Sequence, residues 1–217
     1  MFRGPALTYS LCMFMERCES SDTGYAGLLM SAEEFFALGE TSERYELVNG
    51  VVVMSPGATP NHDRYSHGIQ LQIEVFGLAE TGGRGFQVHG PAVDLYIDDQ
   101  TVYQPDIFVY AHPPTGPGPD RLTLPPDLIV EIASPGTKRF DLATKQIAYE
   151  RFGVKEYWSV DPNDRRDGLR IQVWRLQGTS FVEPVSGLAL ASSAIPGFVL
   201  DIPRLLAKVR GEWPTVR

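Results

Sequence analysis

Cysteine is scarce in this chain of 217 residues, and both copies, Cys12 and Cys18, lie near the N-terminus. The remaining sequence therefore lacks a disulfide framework and the thiolates of a structural zinc site. Such a sequence suits a reducing compartment, so we expect a cytoplasmic protein. There is also no apolar run long enough to cross a bilayer, and no membrane partner is expected.

Positive charge is also in short supply, since the net charge is -8 at pH 7. This balance argues against a large nucleic-acid footprint, although a local basic patch is compatible with it. The nearest basic clusters are Lys138-Arg139, Arg165-Arg166 and Arg204 with Lys208 and Arg210. Solvated surface explains each of them more simply than a binding role does.

The length favours a single domain. The mildly apolar stretch from Ala6 to Met15 is interrupted by polar residues and has no small-residue cleavage site, which argues against a secretion signal. We expect residues 1–27 to be a poorly ordered N-terminal extension, residues 28–210 to form a single domain, and residues 211–217 to be a C-terminal tail.

Periodicity and turn residues predict an α/β or α+β fold. Ser31 and Glu34 form a capping-box pattern for a short helix that Gly39 ends, and Asn49-Gly50 between apolar runs predicts a hairpin over 44–54. The other predicted helices are 60–80, 138–152 and 202–210. The other predicted strands are 86–97, 101–110, 128–133, 156–161, 169–176 and 180–184, and residues 111–126 are predicted to be a loop.

Common cofactor motifs are missing. The chain has no phosphate-binding G-x-x-x-x-G-K-[ST] loop, no dinucleotide-binding G-x-G-x-x-G after a strand and no G-x-S-x-G. His67, His89 and His112 show no metal-ligand spacing. We therefore expect no organic cofactor.

Two acidic residues stand out because they lie in apolar strands. Glu131 is inside Leu-Ile-Val-Glu-Ile, and Asp106 heads Asp-Ile-Phe-Val-Tyr directly after Pro105. A buried carboxylate costs several kcal/mol unless it is paired or binds a metal. Glu131 would equally fit a strand end that emerges into solvent, or a pair with Arg139. Because two such acids lie on two strands, the sequence favours a site at which their carboxylates converge and bind Mg²⁺.

Three further side chains are candidates for the same site. Lys145 lies on the face of the 138–152 helix that also carries Tyr149, where it could stabilise phosphate charge, although snorkelling from a helix edge gives the same spacing. Glu46 could complete the site or be an exposed strand acid. His62 could be a base, a metal ligand or a hydrogen-bonded residue in the first turn of its helix.

Several motifs in order resemble the Uma family, a group of bacterial restriction-endonuclease-like proteins in the PD-(D/E)XK nuclease superfamily. The likeness covers roughly residues 30–206. It rests on Tyr45-Glu-Leu-Val-Asn-Gly, Met54-Ser-Pro, His62, Tyr103-Gln-Pro-Asp-Ile-Phe-Val, Asp127-Leu-Ile-Val-Glu-Ile-Ala-Ser-Pro, Lys145 with Tyr149, and Gly153-Val-Lys-Glu-Tyr-Trp-Ser-Val-Asp-Pro162.

The resemblance implies a restriction-endonuclease-like core, a mixed sheet flanked by helices. It implies that Asp106 and Glu131 are the paired catalytic acids and metal ligands. The position two after Glu131 is Ala133 and not the lysine of the superfamily pattern, and the resemblance implies that Lys145 supplies this group. It further implies that Glu46 is an additional catalytic acid, with His62 as an accessory residue.

Three functions follow as hypotheses. The first is hydrolysis of DNA phosphodiester bonds with Mg²⁺ or Mn²⁺. The second is a non-catalytic interaction module that keeps the nuclease fold, and the acidic charge and Ala133 motivate it. The third is hydrolysis of RNA or a nucleotide-like substrate. A homodimer is also expected, because duplex cutting often uses two sites related by a two-fold axis, and the 169–184 hairpin offers one edge for it.

Overall fold

The computed structural model describes residues 24–55, 57–82, 86–112, 121–133, 140–164, 168–182 and 189–212. The helices in these ranges are α1 (Ala32–Ala37), α2 (Pro60–Thr81), α3 (Phe140–Phe152) and α4 (Ile202–Val209). The strands are β1 (Tyr45–Val48), β2 (Val51–Met54), β3 (Gln87–His89), β4 (Leu95–Asp98), β5 (Thr101–Tyr103), β6 (Ile107–Tyr110), β7 (Leu128–Ile132), β8 (Glu156–Asp161), β9 (Arg170–Gln177), β10 (Ser180–Phe181), β11 (Ala189–Ala191) and β12 (Val199–Asp201).

Local sequence signals account for the first elements. Ser31 caps α1, and its capping box with Glu34 is complete, as predicted. The predicted hairpin is β1–β2, and its turn residues Asn49 and Gly50 have φ of 50° and 79°. Positive φ at both positions is what a two-residue hairpin turn requires, and Asn-Gly tolerates it.

Most of the expected N-terminal extension and C-terminal tail lies outside the described residues. The structure does not describe residues 1–23 of the extension or residues 213–217 of the tail. Residues 24–27 contact the first hairpin. The N–H of Gly27 donates to the Val52 carbonyl at 2.7 Å, and the ring of Tyr25 packs edge-on against that of Tyr45.

A six-stranded mixed sheet forms the centre of the protein, in the order β10-β9-β8-β7-β6-β3. Strands β7 and β8 are parallel and the other neighbours are antiparallel. One face packs against Ile69 of α2 and Leu205 of α4, and the other packs against Tyr149 of α3. Helices therefore cover both faces, as predicted, and β7 is buried along its whole length.

A second sheet lies beside the first, with four strands in the order β2-β1-β5-β4. Leu47 and Val102, which are partners across β1 and β5, form its core together with Phe35 of α1. Within the described residues no helix is both long and apolar enough to cross a membrane.

The prediction of two continuous strands over 86–97 and 101–110 is wrong. Each range contributes one strand to each sheet, because β3 pairs with β6 in the large sheet whereas β4 pairs with β5 in the small one. Gly90-Pro91 interrupts the first range and Pro105 the second, and proline cannot donate a ladder hydrogen bond. The segment from Gln104 to Asp106 is therefore the place where the chain passes between the two sheets.

Other boundaries also differ from the prediction. Strands β11 and β12, which pair with each other, were not expected, because neither three-residue strand shows a clear alternating pattern. Strand β10 comprises only two residues, and positions 183–184 of the predicted strand lie outside the described residues. So do positions 138–139 of the predicted helix and 113–120 of the predicted loop.

Glu156 joins the central sheet to the segment that follows β11. Its carboxylate is completely buried. One oxygen accepts the indole N–H of Trp158 at 2.7 Å, and the other accepts the Ser193 N–H at 2.8 Å and Nε–H of Arg175 at 3.3 Å. The Ser193 hydroxyl also donates to it. A buried carboxylate with this many charge-assisted donors is satisfied, so its role is structural.

We predict that Glu156→Gln lowers the free energy of unfolding by about 3 kcal/mol, because the amide NH₂ replaces one acceptor and leaves buried donors unpaired. Guanidinium chloride denaturation measures this change. Glu212→Gln is the control, because Glu212 is an exposed acid paired with Arg210, and it should leave stability unchanged. Equal stability of Glu156→Gln and wild type would contradict the structural role.

Candidate active site

Four predicted site residues come together, each from a different part of the fold. Glu46 lies on β1, Asp106 lies at the passage between the sheets, Glu131 lies on β7 and Lys145 lies on α3. All four are buried, with exposed fractions of 6%, 7%, 5% and 6% respectively. The interpretations of Glu46 as an exposed strand acid, Glu131 as a solvent-exposed strand end and Lys145 as a snorkelling side chain are therefore wrong.

The pairing of β6 with β7 brings the two strand acids together. Ile107 pairs with Val130 in antiparallel register, so the next positions along the two strands are Asp106 and Glu131. Directly opposed residues project from the same face of a sheet. Oδ2 of Asp106 also accepts the N–H of Ile132 at 2.8 Å, so the aspartate side chain continues the interstrand hydrogen bonding where the backbone turns away.

Lys145 forms a buried ion pair with two acids at once. Its Nζ lies 3.0 Å from Oε1 of Glu46 and 3.2 Å from Oε1 of Glu131, and 5.3 Å from the centre of the Tyr103 ring. A buried ammonium group is stable only when negative charges lie nearby and its N–H donors have acceptors, as they do here. This contact links α3 to both sheets. The proposed alternative partner of Glu131, Arg139, lies outside the described residues.

Two further hydrogen bonds orient the glutamates. The Tyr149 hydroxyl donates to Oε1 of Glu131 at 2.6 Å, and the backbone N–H of Gln104 donates to Oε1 of Glu46 at 2.8 Å. Sequence reasoning missed both roles. Tyr149 was recognised only as an apolar neighbour of Lys145, because a tyrosine on an apolar helix face gives no signal that its hydroxyl has a specific partner.

His62 is the fifth member of the cluster. It lies in the first turn of α2, whose N-cap is Thr59, and its Nε2 is 3.0 Å from Oδ2 of Asp106. The hydrogen bond with Asp106 raises the pKa of His62, against an opposing effect of burial. The contact between His62 Nε2 and Oδ2 of Asp106 therefore helps to fix the orientation of the Asp106 carboxylate.

Burial has the largest effect on the pKa values in the cluster, and neighbouring carboxylates add to it. Burial raises the pKa of Glu131 to about 8, with Lys145 lowering it and the Asp106 and Glu46 carboxylates raising it further. Burial together with the neighbouring Glu131 carboxylate also raises the pKa of Tyr149 well above its usual range. The three carboxylates outnumber the Lys145 ammonium group, and a divalent cation bound among them would offset this difference.

The donor set of the cluster fits a hard cation. The hydrogen bonds described above use Oδ2 of Asp106 and Oε1 of Glu131, which leaves Oδ1 and Oε2 as candidate metal ligands. Mg²⁺ prefers such oxygen donors and commonly binds one or two carboxylates while keeping several waters. Asp106 and Glu131 are the residues that would hold such an ion, and within the described part of the chain no group of three or more His, Cys, Asp or Glu side chains is placed to hold a metal.

Comparison with solved structures identifies the fold. The "putative nuclease belonging to DUF820" from Anabaena variabilis matches with a TM-score of 0.65, covering 83% of this chain and 99% of that one. At 19% sequence identity this likeness concerns the fold alone. It confirms the predicted nuclease-like core with a mixed sheet and flanking helices.

Sequence comparison gives the family. The model of the Uma2 family, described as "Putative restriction endonuclease", matches residues 32–203. The chain therefore belongs to the Uma2 family, and the resemblance seen in its motifs is confirmed. The "Uncharacterized protein sll1609" of Synechocystis sp. is 24% identical over 137 residues, which are 62% of this chain and 75% of that protein.

We predict that Glu131→Gln makes the metal-free protein more stable at alkaline pH and removes part of its pH dependence. The ordinary pKa of 4.5 applies to the unfolded chain and the raised value of about 8 to the folded one. Between these values the unfolded state releases a proton that the folded state retains, so the free energy of unfolding of the wild type falls as pH rises. Glutamine keeps the shape and does not ionise.

Urea denaturation in EDTA at pH 5 and pH 8.5 measures this effect. We expect a gain for Glu131→Gln of about 1–3 kcal/mol at the higher pH and a smaller change at the lower one. The exposed helix residue Glu80, changed to Gln, is the matched control and should follow the wild type at both pH values. A gain of the same size at both pH values would contradict the electrostatic explanation.

Proposed function

We propose that this protein is a Mg²⁺-dependent endonuclease that hydrolyses phosphodiester bonds in DNA. The observation that carries the proposal is the burial of Glu46, Asp106, Glu131 and Lys145 in one contact cluster from four separate elements. Burying these charges costs several kcal/mol of folding free energy. Charged groups brought together at such a cost are typical of functional sites. Membership of a family described as a restriction endonuclease supports nucleic acid as the substrate.

The metal ion in this proposal is Mg²⁺, or Mn²⁺, and Asp106 and Glu131 would hold it. When bound there, the ion would polarise a phosphoryl oxygen and lower the pKa of a water molecule. The protein contributes rigid ligands. The Ile132 N–H and His62 fix the Asp106 carboxylate, and Tyr149 fixes Glu131. Ligands held by such hydrogen bonds retain their orientation as the site fills.

Lys145 would act on the substrate directly. Its ammonium group is anchored by Glu46 on one side and Glu131 on the other, so it cannot swing away into solvent. A cation fixed beside the metal site can orient the attacking water and stabilise the negative charge that develops on the phosphoryl oxygens. In this scheme Glu46 is a positioning residue for Lys145, and Lys145 replaces the lysine that the position of Ala133 lacks.

We also propose that the protein cuts DNA as a homodimer, since a two-fold arrangement places one site on each strand of a duplex. The short strand β10 lies at one edge of the central sheet, and the β9–β10 hairpin is the surface proposed for contact with a second copy. Light scattering coupled to size-exclusion chromatography should give a mass of about twice 24.0 kDa. A monomer mass in the presence of DNA and metal would contradict this proposal.

Cleavage of plasmid DNA with Mg²⁺ or Mn²⁺ tests the nuclease proposal. We predict that Asp106→Asn, Glu131→Gln and Lys145→Met each lower the cleavage rate at least about a hundredfold, because each removes a fixed charge at the reacting phosphate. Glu80→Gln, an exposed acid in the last turn of α2, should cut like the wild type. The same assay with RNA of matching sequence distinguishes the two substrate classes.

Calorimetric titration of the same variants with Mg²⁺ provides the control for folding and binding. Asp106→Asn and Glu131→Gln should lose metal binding while remaining folded, whereas Lys145→Met should retain it. Equal cleavage by wild type and the Asp106 and Glu131 variants would sink the assignment. An absence of metal binding and of cleavage on any nucleic acid would instead favour the non-catalytic interaction module.

A further inference from the structure

Arg44 lies at the edge of the acidic cluster and has no part in the scheme above. It directly precedes β1, and its carbonyl accepts the Ser55 N–H at 2.9 Å, so its backbone continues the β1–β2 pairing. Arg44 and Glu46 are two positions apart on an extended chain and therefore project from the same side. The strand that places Glu46 in the cluster thus also places an arginine beside it.

A neutral amide, and not a carboxylate, holds the Arg44 side chain. Its Nε donates to Oε1 of Gln104 at 3.1 Å, and its Nη2 is 3.5 Å from the Gln104 carbonyl. Gln104 is fixed in turn, because its Nε2 donates to Oδ1 of Asp94 and its N–H to Glu46, each at 2.8 Å. Among the described residues, no carboxylate forms an ion pair with Arg44.

Because Gln104 is neutral, the positive charge of Arg44 is not balanced by the partner that holds it. Gln104 connects Arg44 to the cluster, since its side chain accepts the Arg44 Nε–H and its backbone N–H donates to Glu46. Arg44 is only partly buried, and the bonds to Gln104 leave Nη1 available to a ligand from solvent.

We propose that Arg44 binds a non-bridging oxygen of a substrate phosphate group next to the metal site. The inference rests on the proposed nuclease function, since it names the chemical group that this side chain recognises. A planar guanidinium with fixed orientation matches phosphate oxygens better than a lysine does. The other role open to Arg44 is purely structural, namely to hold the Gln104–Asp106 segment in place.

Fluorescence anisotropy with a fluorescein-labelled DNA duplex distinguishes these roles. The titrations are run over a range of KCl concentrations, both in EDTA and with Mg²⁺ on a cleavage-resistant phosphorothioate duplex, so that cleavage plays little part. We expect Arg44→Gln to bind roughly ten- to a hundredfold more weakly than wild type. Loss of one phosphate contact should also reduce the slope of log K against log salt by about 0.9, which a structural role would not do.

Two further variants complete the experiment. Arg44→Lys keeps the charge and should retain the salt slope of the wild type while binding several-fold more weakly. Arg151→Gln removes an exposed arginine in the last turn of α3 and should bind like the wild type. Unchanged affinity and slope in Arg44→Gln would overturn the proposal. So would failure of the wild type to bind the duplex, or equal losses in Arg44→Gln and Arg44→Lys with lowered stability.

The two proposals fail separately. If Arg44→Gln loses DNA binding while the wild type cleaves no nucleic acid with either metal, the phosphate site remains and the nuclease assignment falls. If the wild type cleaves DNA and Arg44→Gln binds and cleaves it equally well, only the assignment of Arg44 falls.

Discussion

The buried ion pair of Lys145 with Glu46 and Glu131 is the contact on which the architecture of this site depends. It connects α3, the small sheet through β1 and the central sheet through β7. Three carboxylates in a buried cluster repel one another, and this repulsion is offset by the positive charge and the hydrogen-bond donors placed among them. Lys145 provides this on one side and His62 on the other, each through a contact of about 3 Å.

The second constraint is the passage of the chain between the sheets at Gln104, Pro105 and Asp106. Because Pro105 ends the ladder, the backbone leaves the small sheet after β5 and enters the central sheet at β6. The residues on either side of Pro105 thereby serve the site in different ways. The N–H of Gln104 holds Glu46, its side chain holds Arg44, and the Asp106 carboxylate faces Glu131. The residues at which the chain passes from one sheet to the other thus also connect the part of the site on β1 with the part on β7.

Much of the site follows from the sequence, and the parts that do not are those that depend on tertiary contacts. Glu131 and Asp106 stand out because an acid within an apolar strand needs a partner. Lys145 and Glu46 remained ambiguous, since helical spacing and strand position do not reveal which neighbour lies opposite. The division of 86–97 and 101–110 between two sheets depends on which strands pair. Arg44 and Tyr149 gave no local signal, because their roles exist only through Gln104 and Glu131.

The overall charge of -8 bears on how such a site would recognise an anionic substrate. A protein with so few cations cannot rely on a broad basic surface, so affinity has to come from a few contacts close to the reacting phosphate. In the proposed scheme these are the bound metal, Lys145 and Arg44, all within or beside the acidic cluster. Before the metal binds, the three carboxylates of the cluster outnumber the Lys145 ammonium group. Metal binding would then have two effects at once, because it satisfies the carboxylates and removes the repulsion that an incoming phosphate would otherwise meet. Under this proposal, a weak general attraction for nucleic acid and a strong dependence on the metal would both follow from the same distribution of charge.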